Sequence, residues 1–313
     1  MLSILDLKRK LPKDFVDELY EQYTPITVDK ILTGMLGERN TTLRVNTIKY
    51  NIQELMKYLR EKNIKFERVS WYNDALIIKN ANEKEIQKLD IYEKGYIYLQ
   101  SLSSMIPPLV LNPKPGEKIL DLTAAPGSKT TQMAAMMKND GYILANELDK
   151  IRCDRLIYNV EKQGANIVEV INNRGEKVGE EYQEQFDKVL LDAPCSGEGR
   201  FLGNNVGTYR NWSKRTVREL AKLQKKLFKS AYTALKPNGM MVYSTCTLNK
   251  DENENVLQWA IENFNVKLLD INIDFKEKMQ GFNDGLDGSI NKAIRILPSK
   301  NMEGFFVAKL KKK

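Results

Sequence analysis

The chain contains no histidine. That absence removes Ser-His-Asp and Cys-His nucleophile schemes, a histidine general base and every histidine-bearing metal site. Chemistry here rests on Cys, Asp, Glu, Lys or Tyr. Cysteine is scarce too: Cys153, Cys195 and Cys246 stand far apart with no Cys-x-x-Cys pair, which excludes a zinc knuckle and a disulfide framework. Reduced thiols, a cytoplasmic location and no bound metal are the expectation. Long hydrophobic runs are missing as well. The apolar N-terminal stretch is broken at Asp6 and is too short for a signal-peptide core. The uncharged segment from Gly95 to Pro113 carries Pro107-Pro108, Gln100 and three serines, and reads as a buried connector rather than a membrane span.

Glycine (18) and proline (10) show no excess in 313 residues, and hydrophobic (42%) and charged (29%) shares are those of a globular chain. The length exceeds one typical domain. The 49 Lys+Arg against 41 Asp+Glu leave a net charge of +8, which favours a polyanionic partner such as nucleic acid.

Up to about residue 100 the pattern is helical first (Phe15, Leu19, Tyr20, then Val28, Ile31, Leu32, Met35) and then alternates short strands with helices. Its strands are placed at Thr42–Asn46, Phe66–Val69, Ala75–Ile78 and Tyr96–Leu99, with a helix near Ile52–Glu61. From Lys114 a strand-turn-helix unit repeats, the signature of a mostly parallel sheet covered on both faces. Strands are expected at Lys118–Leu122, Tyr142–Glu147, Ile167–Ile171, Phe186–Asp192, Met240–Thr245 and Gly304–Leu310, and a helix with a solvated basic face over about 213–235. Ile273 to Met302 reads as a long loop.

The run Ile119-Leu120-Asp121-Leu122-Thr123-Ala124-Ala125-Pro126-Gly127-Ser128-Lys129-Thr130 is a buried strand, a small-residue turn and a helix start. Small residues let the backbone approach a ligand, and the free N–H groups of a new helix accept an anionic group. Neither GxGxxG nor GxxxxGK[ST] is present, so the pyrophosphate and triphosphate readings fall away. Glu147 ends the next strand, where an acid in such folds holds ribose hydroxyls. A nucleoside with a carboxylate and no phosphate chain is S-adenosylmethionine, although a structural turn followed by a surface Glu has the same spacing.

Asp192-Ala193-Pro194-Cys195-Ser196-Gly197 follows one apolar strand and Ser244-Thr245-Cys246-Thr247 follows another. In a doubly wound sheet both thiols and Asp192 then face the cofactor turn, whereas a lone buried cysteine is ordinarily a small hydrophobe. A thiol beside a methyl donor suits methylation of a pyrimidine carbon. C5 of cytosine is a poor nucleophile, and thiolate addition at C6 makes it enamine-like. Asp192 is the carboxyl for the N3 edge of the base, and Lys129 the cation that would favour a thiolate. Spacing does not order the two cysteines.

Together with Asn146-Glu147, the acidic run Asp251–Glu254 and the closing Glu303-Gly304-Phe305-Phe306-Val307-Ala308, these motifs resemble the Sun/NSUN family of RNA cytosine-C5 methyltransferases over most of the chain. The resemblance implies a Rossmann-like class I methyltransferase domain, α/β and doubly wound with a seven-stranded, mostly parallel sheet, over residues 101–313. It implies a small ferredoxin-like α+β RNA-binding domain over residues 1–100. Cys246 is then the nucleophile and Cys195 the helper in product release, with Asp192 and Lys129 beside them. S-adenosylmethionine would be held by Thr123, Ala124, Ala125, Pro126, Gly127, Ser128, Lys129, Glu147, Arg152, Asn173 and Asp192. Arg44, in a Leu-Arg-Val-Asn motif, and Arg295 would grip RNA, with binding that weakens as salt rises. A monomer acting on a flipped or single-stranded cytosine is expected, in ribosomal RNA rather than tRNA on family frequency.

Departures from the family pattern are Thr123 for a cysteine, Ser128 for a glycine, Ser299 for a histidine after Pro298, and Arg174 where an adenine-binding aspartate is usual. Adenine binding then falls to Asn173 or Glu176. DNA cytosine-C5 methyltransferases share a Pro-Cys thiol and a Glu-Asn-Val tripeptide. Here Glu254-Asn255-Val256 lies past the Thr-Cys strand end, in a helix expected from about Asp251, where its Glu would not reach the base. The reading from a different class is a non-catalytic RNA-binding or ribosome-assembly factor that keeps the fold. Cys246, Cys195, Asp192 and Lys129 together speak against it.

Overall fold

The computed structural model describes residues 3–313. Three helices lead the chain: α1 (Ile4–Lys10), α2 (Lys13–Gln22) and α3 (Pro25–Met35). Ser3 and Asp6 form a capping box, Thr24 caps α3, and Pro25 occupies a first-turn position where no N–H is needed. Their apolar residues, Leu7, Phe15, Ile31 and Met35 among them, are buried with Phe201, Tyr209, Trp212 and Leu248. These helices therefore pack on the segments that follow Cys195 and Cys246.

Next come β1 (Thr42–Val45), α4 (Ile52–Glu61), β2 (Phe66–Val69), β3 (Tyr72–Ile78), α5 (Glu83–Gln87), α6 (Asp90–Glu93) and β4 (Ile97–Leu99). The four strands pair antiparallel in the order β2-β3-β1-β4, a ferredoxin-like arrangement. Alternation along β3 serves both faces. Leu76 and Ile78 are buried with Leu55 and Leu59 of α4, while Ala75 and Ile77 are buried with Met105 and Ile106 of the following helix.

That helix, α7 (Leu102–Leu111), is what the uncharged connector becomes. Pro107 and Pro108 lie inside it, and each removes one ladder donor. Gln100 compensates by donating from Nε2 to the Ser104 carbonyl at 3.2 Å, the acceptor that Pro108 cannot serve.

The large sheet is built from β5 (Lys118–Asp121), β6 (Tyr142–Asn146), β7 (Val168–Ile171), β8 (Phe186–Asp192), β9 (Leu235–Thr245), β10 (Val266–Leu269), β11 (Lys278–Gln280), β12 (Ile294–Ile296) and β13 (Phe305–Lys312). Between them run α8 (Ser128–Met136), α9 (Lys150–Gln163), α10 (Gly175–Glu181), α11 (Lys214–Ala234) and α12 (Glu254–Asn263). Strands β7-β6-β5-β8-β9 are parallel, β13 joins β9 antiparallel, and β10 pairs with β13. Successive residues alternate between two buried layers: Ile119, Leu190 and Val242 in one, Leu120, Leu191 and Tyr243 in the other. The strand order reverses between β5 and β8, which opens a crevice at their carboxyl ends.

Those seven strands carry the expected sheet, and two more extend it. Ile273 to Met302, expected as a loop, contains β11, a short 3-10 turn over Gly288–Lys292 and β12. Three-residue strands are too short for a periodicity to show. Ile294 and Ile296 become strand residues because they pair with Val307 and Phe305 of β13. Among the described residues no helix is long and apolar enough to cross a membrane.

Candidate active site

A cavity of about 1080 Å³ opens at the carboxyl ends of β5, β6, β8 and the segment after β9. Its floor is the turn between β5 and α8. The Ala124 N–H donates to the Asn146 carbonyl at 2.8 Å, which ties the turn to β6. Gly127 turns the chain at φ 100°, a conformation that strains any L side chain, and a Cβ there would stand 2.9 Å from the Leu156 Cδ1 tip. Thr123, Ala124, Ala125, Pro126, Ser128 and Lys129 face the cavity, while the Thr123 hydroxyl donates to the Asp192 carbonyl at 2.9 Å and joins the ends of β5 and β8.

Glu147 is 4% exposed and lines the same space. It accepts from the Asp149 N–H at 2.9 Å and stands 3.5 Å from Arg152, which also donates to the Ala125 carbonyl at 2.9 Å. Leu148, Leu223 and Leu227 supply apolar wall. Asp121 is buried at the end of β5. One carboxyl oxygen accepts from Thr130 at 2.7 Å, the other has no partner, and burial pushes the carboxyl up to about 7.

Asn173 does not join them. Its amide is turned to Glu181 at 2.9 and 3.0 Å and it does not line the cavity; the carboxylate acceptor on α10 outcompetes the pocket. Gly175 and Glu176 line the cavity in its place, with Glu176 held by Arg174 at 3.2 Å.

The two cysteines meet: Cys195 Sγ and Cys246 Sγ are 3.3 Å apart, and the Cys246 N–H donates to Cys195 Sγ at 3.2 Å. The hydrogen bond to Cys246, with burial second, holds the Cys195 thiol well above its usual range. Asp192 is clamped on both oxygens, by Lys129 at 2.7 Å and by the Ser244 hydroxyl at 2.7 Å. Lys129 also donates to Ser104 at 2.7 Å. This corrects the role expected for Lys129 as the cation beside a thiol, because its ammonium is already committed to Asp192. Arg200, a residue the sequence reading missed, lines the same cavity as Cys246; the Cys246 sulfur is the leading influence that raises the Arg200 guanidinium above its usual value.

A buried polar framework carries both cysteine loops. Glu252 accepts from the Ser196 N–H at 2.9 Å, the Ser196 hydroxyl at 2.5 Å and Gln224 at 3.0 Å. Gln224 also donates to the Pro194 carbonyl at 2.9 Å. Asn253 bridges Thr245 and the Thr247 carbonyl. Burial raises both Glu252 and Glu198, the latter to about 7, where it accepts from Trp212 at 2.9 Å and Asn249 at 3.2 Å. The signal for Glu252 lay in the acidic run, whose members are not distinguishable without their partners.

Arg44 and Arg295 do not face solvent, which corrects their placement as RNA grips. Both are fully buried. Arg295 pairs with Glu254, donating from Nε at 2.6 Å, and contacts Tyr23 and the Leu248 carbonyl. The Glu-Asn-Val glutamate is thereby committed to Arg295 and does not line the cavity. Arg44 donates to Gln100 at 2.8 Å, Thr131 at 2.7 Å and the Ser128 carbonyl at 3.1 Å, pinning the N-terminal sheet to the start of α8. Among the described residues no group of three or more His, Cys, Asp or Glu could hold a metal ion.

Compared with known proteins, residues 108–311 match the family model described as 16S rRNA methyltransferase RsmB/F, and residues 11–84 match that of the RsmF/B-like ferredoxin-like domain. A tRNA (cytosine(49)-C(5))-methyltransferase of Pyrococcus abyssi is 40% identical over 276 residues, covering 87% of this chain and 88% of that protein. The ribosomal RNA small subunit methyltransferase F of Shewanella oneidensis is 35% identical over 309 residues, covering 97% of this chain; the chain spans 64% of that longer relative. Among solved structures, a methyltransferase homolog protein from Pyrococcus horikoshii superposes with a TM-score of 0.81 at 33% identity, covering 97% of this chain and all of that one. NSun6 from Pyrococcus horikoshii with SFG, at 23% identity and a TM-score of 0.83 over 97% of this chain and 99% of its own, shares the fold.

Proposed function

The chain belongs to the RsmB/F methyltransferase family, and from that premise we propose that it methylates C5 of cytosine in RNA through a covalent adduct at Cys246. The observation that carries the reading is the thiol pair, 3.3 Å apart, set beside the clamped Asp192 carboxylate at the rim of the cofactor cavity. A non-catalytic RNA-binding role has no use for that arrangement.

The residues fit S-adenosylmethionine. Glu147 stands where ribose hydroxyls are held, the leucines offer apolar wall, and the unpartnered oxygen of Asp121 suits an ammonium group. S-adenosylmethionine supplies, when bound, the electrophilic methyl that an activated C5 takes. Cys246, as thiolate, forms the S–C6 bond, and the Asp192–Lys129 pair, joined at 2.7 Å, would hold the N3 edge and provide the proton taken up there. Afterwards a base removes the C5 proton, its electron pair restores the C5–C6 double bond, N3 gives back its proton, and the C6–S pair returns to Cys246. Cys195, a thiol donor to Cys246, stabilises the sulfur that departs. Attack at C6 requires an unstacked base, so the target is flipped or single-stranded.

Ribosomal RNA is the favoured substrate and tRNA the second arm, the RNA classes in the names of the two relatives; action in the cytoplasm goes with either. The test is transfer of labelled methyl from S-adenosylmethionine to unmodified ribosomal RNA and tRNA in parallel, with digestion to nucleosides. Label in 5-methylcytidine is the expected result, and the arm that carries it names the substrate. No label in either RNA, with cofactor bound, refutes methylation of free RNA.

A further inference from the structure

We propose that Arg200 is the positioning residue that stabilises the thiolate of Cys246, holding its charge before attack and receiving it again when the C6–S bond breaks. The inference uses the nucleophile reading above for its purpose, but its chemistry is a property of the thiol alone.

Charge on sulfur in a partly enclosed site needs a cation or donors near it. Lys129 is spent on Asp192 and Ser104, each at 2.7 Å. Arg152 is spent on Ala125 and Glu147. Arg200 lines the same cavity as both thiols and Glu303, and its electrostatic neighbours are Cys246 first, then Glu303 and Cys195.

The backbone keeps it there. Gly199 donates its N–H to the Cys246 carbonyl at 3.0 Å, and its own carbonyl accepts from Gly304 at 2.9 Å and Arg39 at 3.1 Å. A Cβ on Gly199 would stand 1.9 Å from the Gly304 oxygen, so the strand of chain before Arg200 is pressed flat between the Cys246 loop and the entry to β13. The Arg200 N–H closes the turn on the Gly197 carbonyl at 2.9 Å. A side chain leaving this point is anchored one residue from a direct bond to the Cys246 peptide. Cys246 sulfur thus has the Cys195 thiol at 3.3 Å, and the Arg200 side chain enters the same cavity from the residue after Gly199, which bonds the Cys246 peptide.

The experiment is iodoacetamide alkylation of the full chain without RNA or cofactor, read at each cysteine by peptide mass spectrometry from about pH 6 to about pH 9. Wild type, Arg200→Lys and Arg200→Met are compared. The expected outcome is a roughly tenfold slower reaction at Cys246 near neutral pH in Arg200→Met, the size of one unit in thiolate availability. Arg200→Lys should recover most of the rate, high salt should narrow the gap, and Cys153 should react alike in all three. Equal Cys246 rates in Arg200→Met and wild type would overturn the proposal. Should Arg200→Met fail to fold, Arg200→Gln keeps polarity and removes charge, and the same comparison decides. Because neither RNA nor cofactor is present, failure here is separate from failure to methylate.

Discussion

Two half-buried thiols in contact are not equivalent when their surroundings differ. The hydrogen bond between the two sulfurs, and desolvation after it, raise the Cys195 thiol well above its usual range. Replacing Cys246 with Ala should abolish methyl transfer while cofactor affinity, read by calorimetry, stays within about twofold. Replacing Cys195 with Ala should let the adduct form and leave it unresolved, visible as a protein–RNA band on a denaturing gel; fast, clean release in this variant would refute the helper role. Asp121 offers a test by pH. Burial places its carboxyl at about 7, against about 3.9 in an unfolded chain. Between those values the folded protein keeps a proton that the unfolded chain has lost. Its contribution is therefore fully present below pH about 4 and is lost as pH rises through about 7. At about 1.4 kcal/mol per unit the ceiling is about 4 kcal/mol. Urea unfolding of cofactor-free protein at about pH 5 and about pH 8 should show wild type losing stability relative to Asp121→Asn. Parallel behaviour would mean that the folded carboxyl is already ionised at the lower pH.

At the scale of elements, the cavity wall at α10 depends on how closely that helix approaches α11. Gly175 and Gly179 sit one turn apart; the Ser230 hydroxyl donates to the Gly175 carbonyl at 2.6 Å and accepts from the Gly179 N–H at 2.8 Å. A Cβ at Gly179 would lie 2.2 Å from the Ser230 carbonyl oxygen. In an open helix Gly→Ala gains about 1 kcal/mol. Here the two backbones must part, and Gly179→Ala should cost about 2 kcal/mol instead, measured by denaturant midpoint, and weaken cofactor binding because Gly175 and Glu176 line the cavity. An unchanged midpoint would show that the helices yield. The glycine spacing is written in the sequence, but its partner is not: Ser230 is brought to it from α11 by the fold.

For the whole molecule, a buried cation with no carboxylate in salt-bridge contact among the described residues helps to unite the N-terminal sheet with the catalytic domain, beside the apolar packing of Ala75 and Ile77. Arg44 reaches from β1 to Gln100, Ser128 and Thr131, and its guanidinium lies 5.2 Å from the Tyr98 ring centre. One guanidinium nitrogen has no partner, and burial lowers the basicity of the group. Arg44→Ala leaves the acceptors on Gln100 and Ser128 unmatched in a dry interface, a loss of about 2–4 kcal/mol. Since Ser128 opens α8, cofactor affinity should fall with stability. Unfolding in two separated steps would show that Arg44 couples the domains, whereas a single transition with unchanged affinity would reduce it to local packing. The leading helices act on the same scale: Phe15 packs edge-on against Phe201 at 4.9 Å and Trp212 at 5.6 Å, so chain far from the cysteines in sequence supports the loop that carries Arg200.

The linear order of residues determined the parallel strands, the small-residue turn after β5 and the positions of Cys195 and Cys246 just past strand ends. Buried parallel strands are nearly continuous apolar runs, and chemistry that follows such a run emerges at the crevice. What only the tertiary structure decided is the pairing of charges. Arg44, Arg295, Lys129 and Arg200 are alike as letters. Their roles came from carboxylates, carbonyls and a thiol brought to them from elsewhere, Glu254 from 41 positions before Arg295 and Gln100 from 56 after Arg44. A charged side chain is defined by its nearest partners through space, and chain entropy lets those partners lie at any separation along the chain.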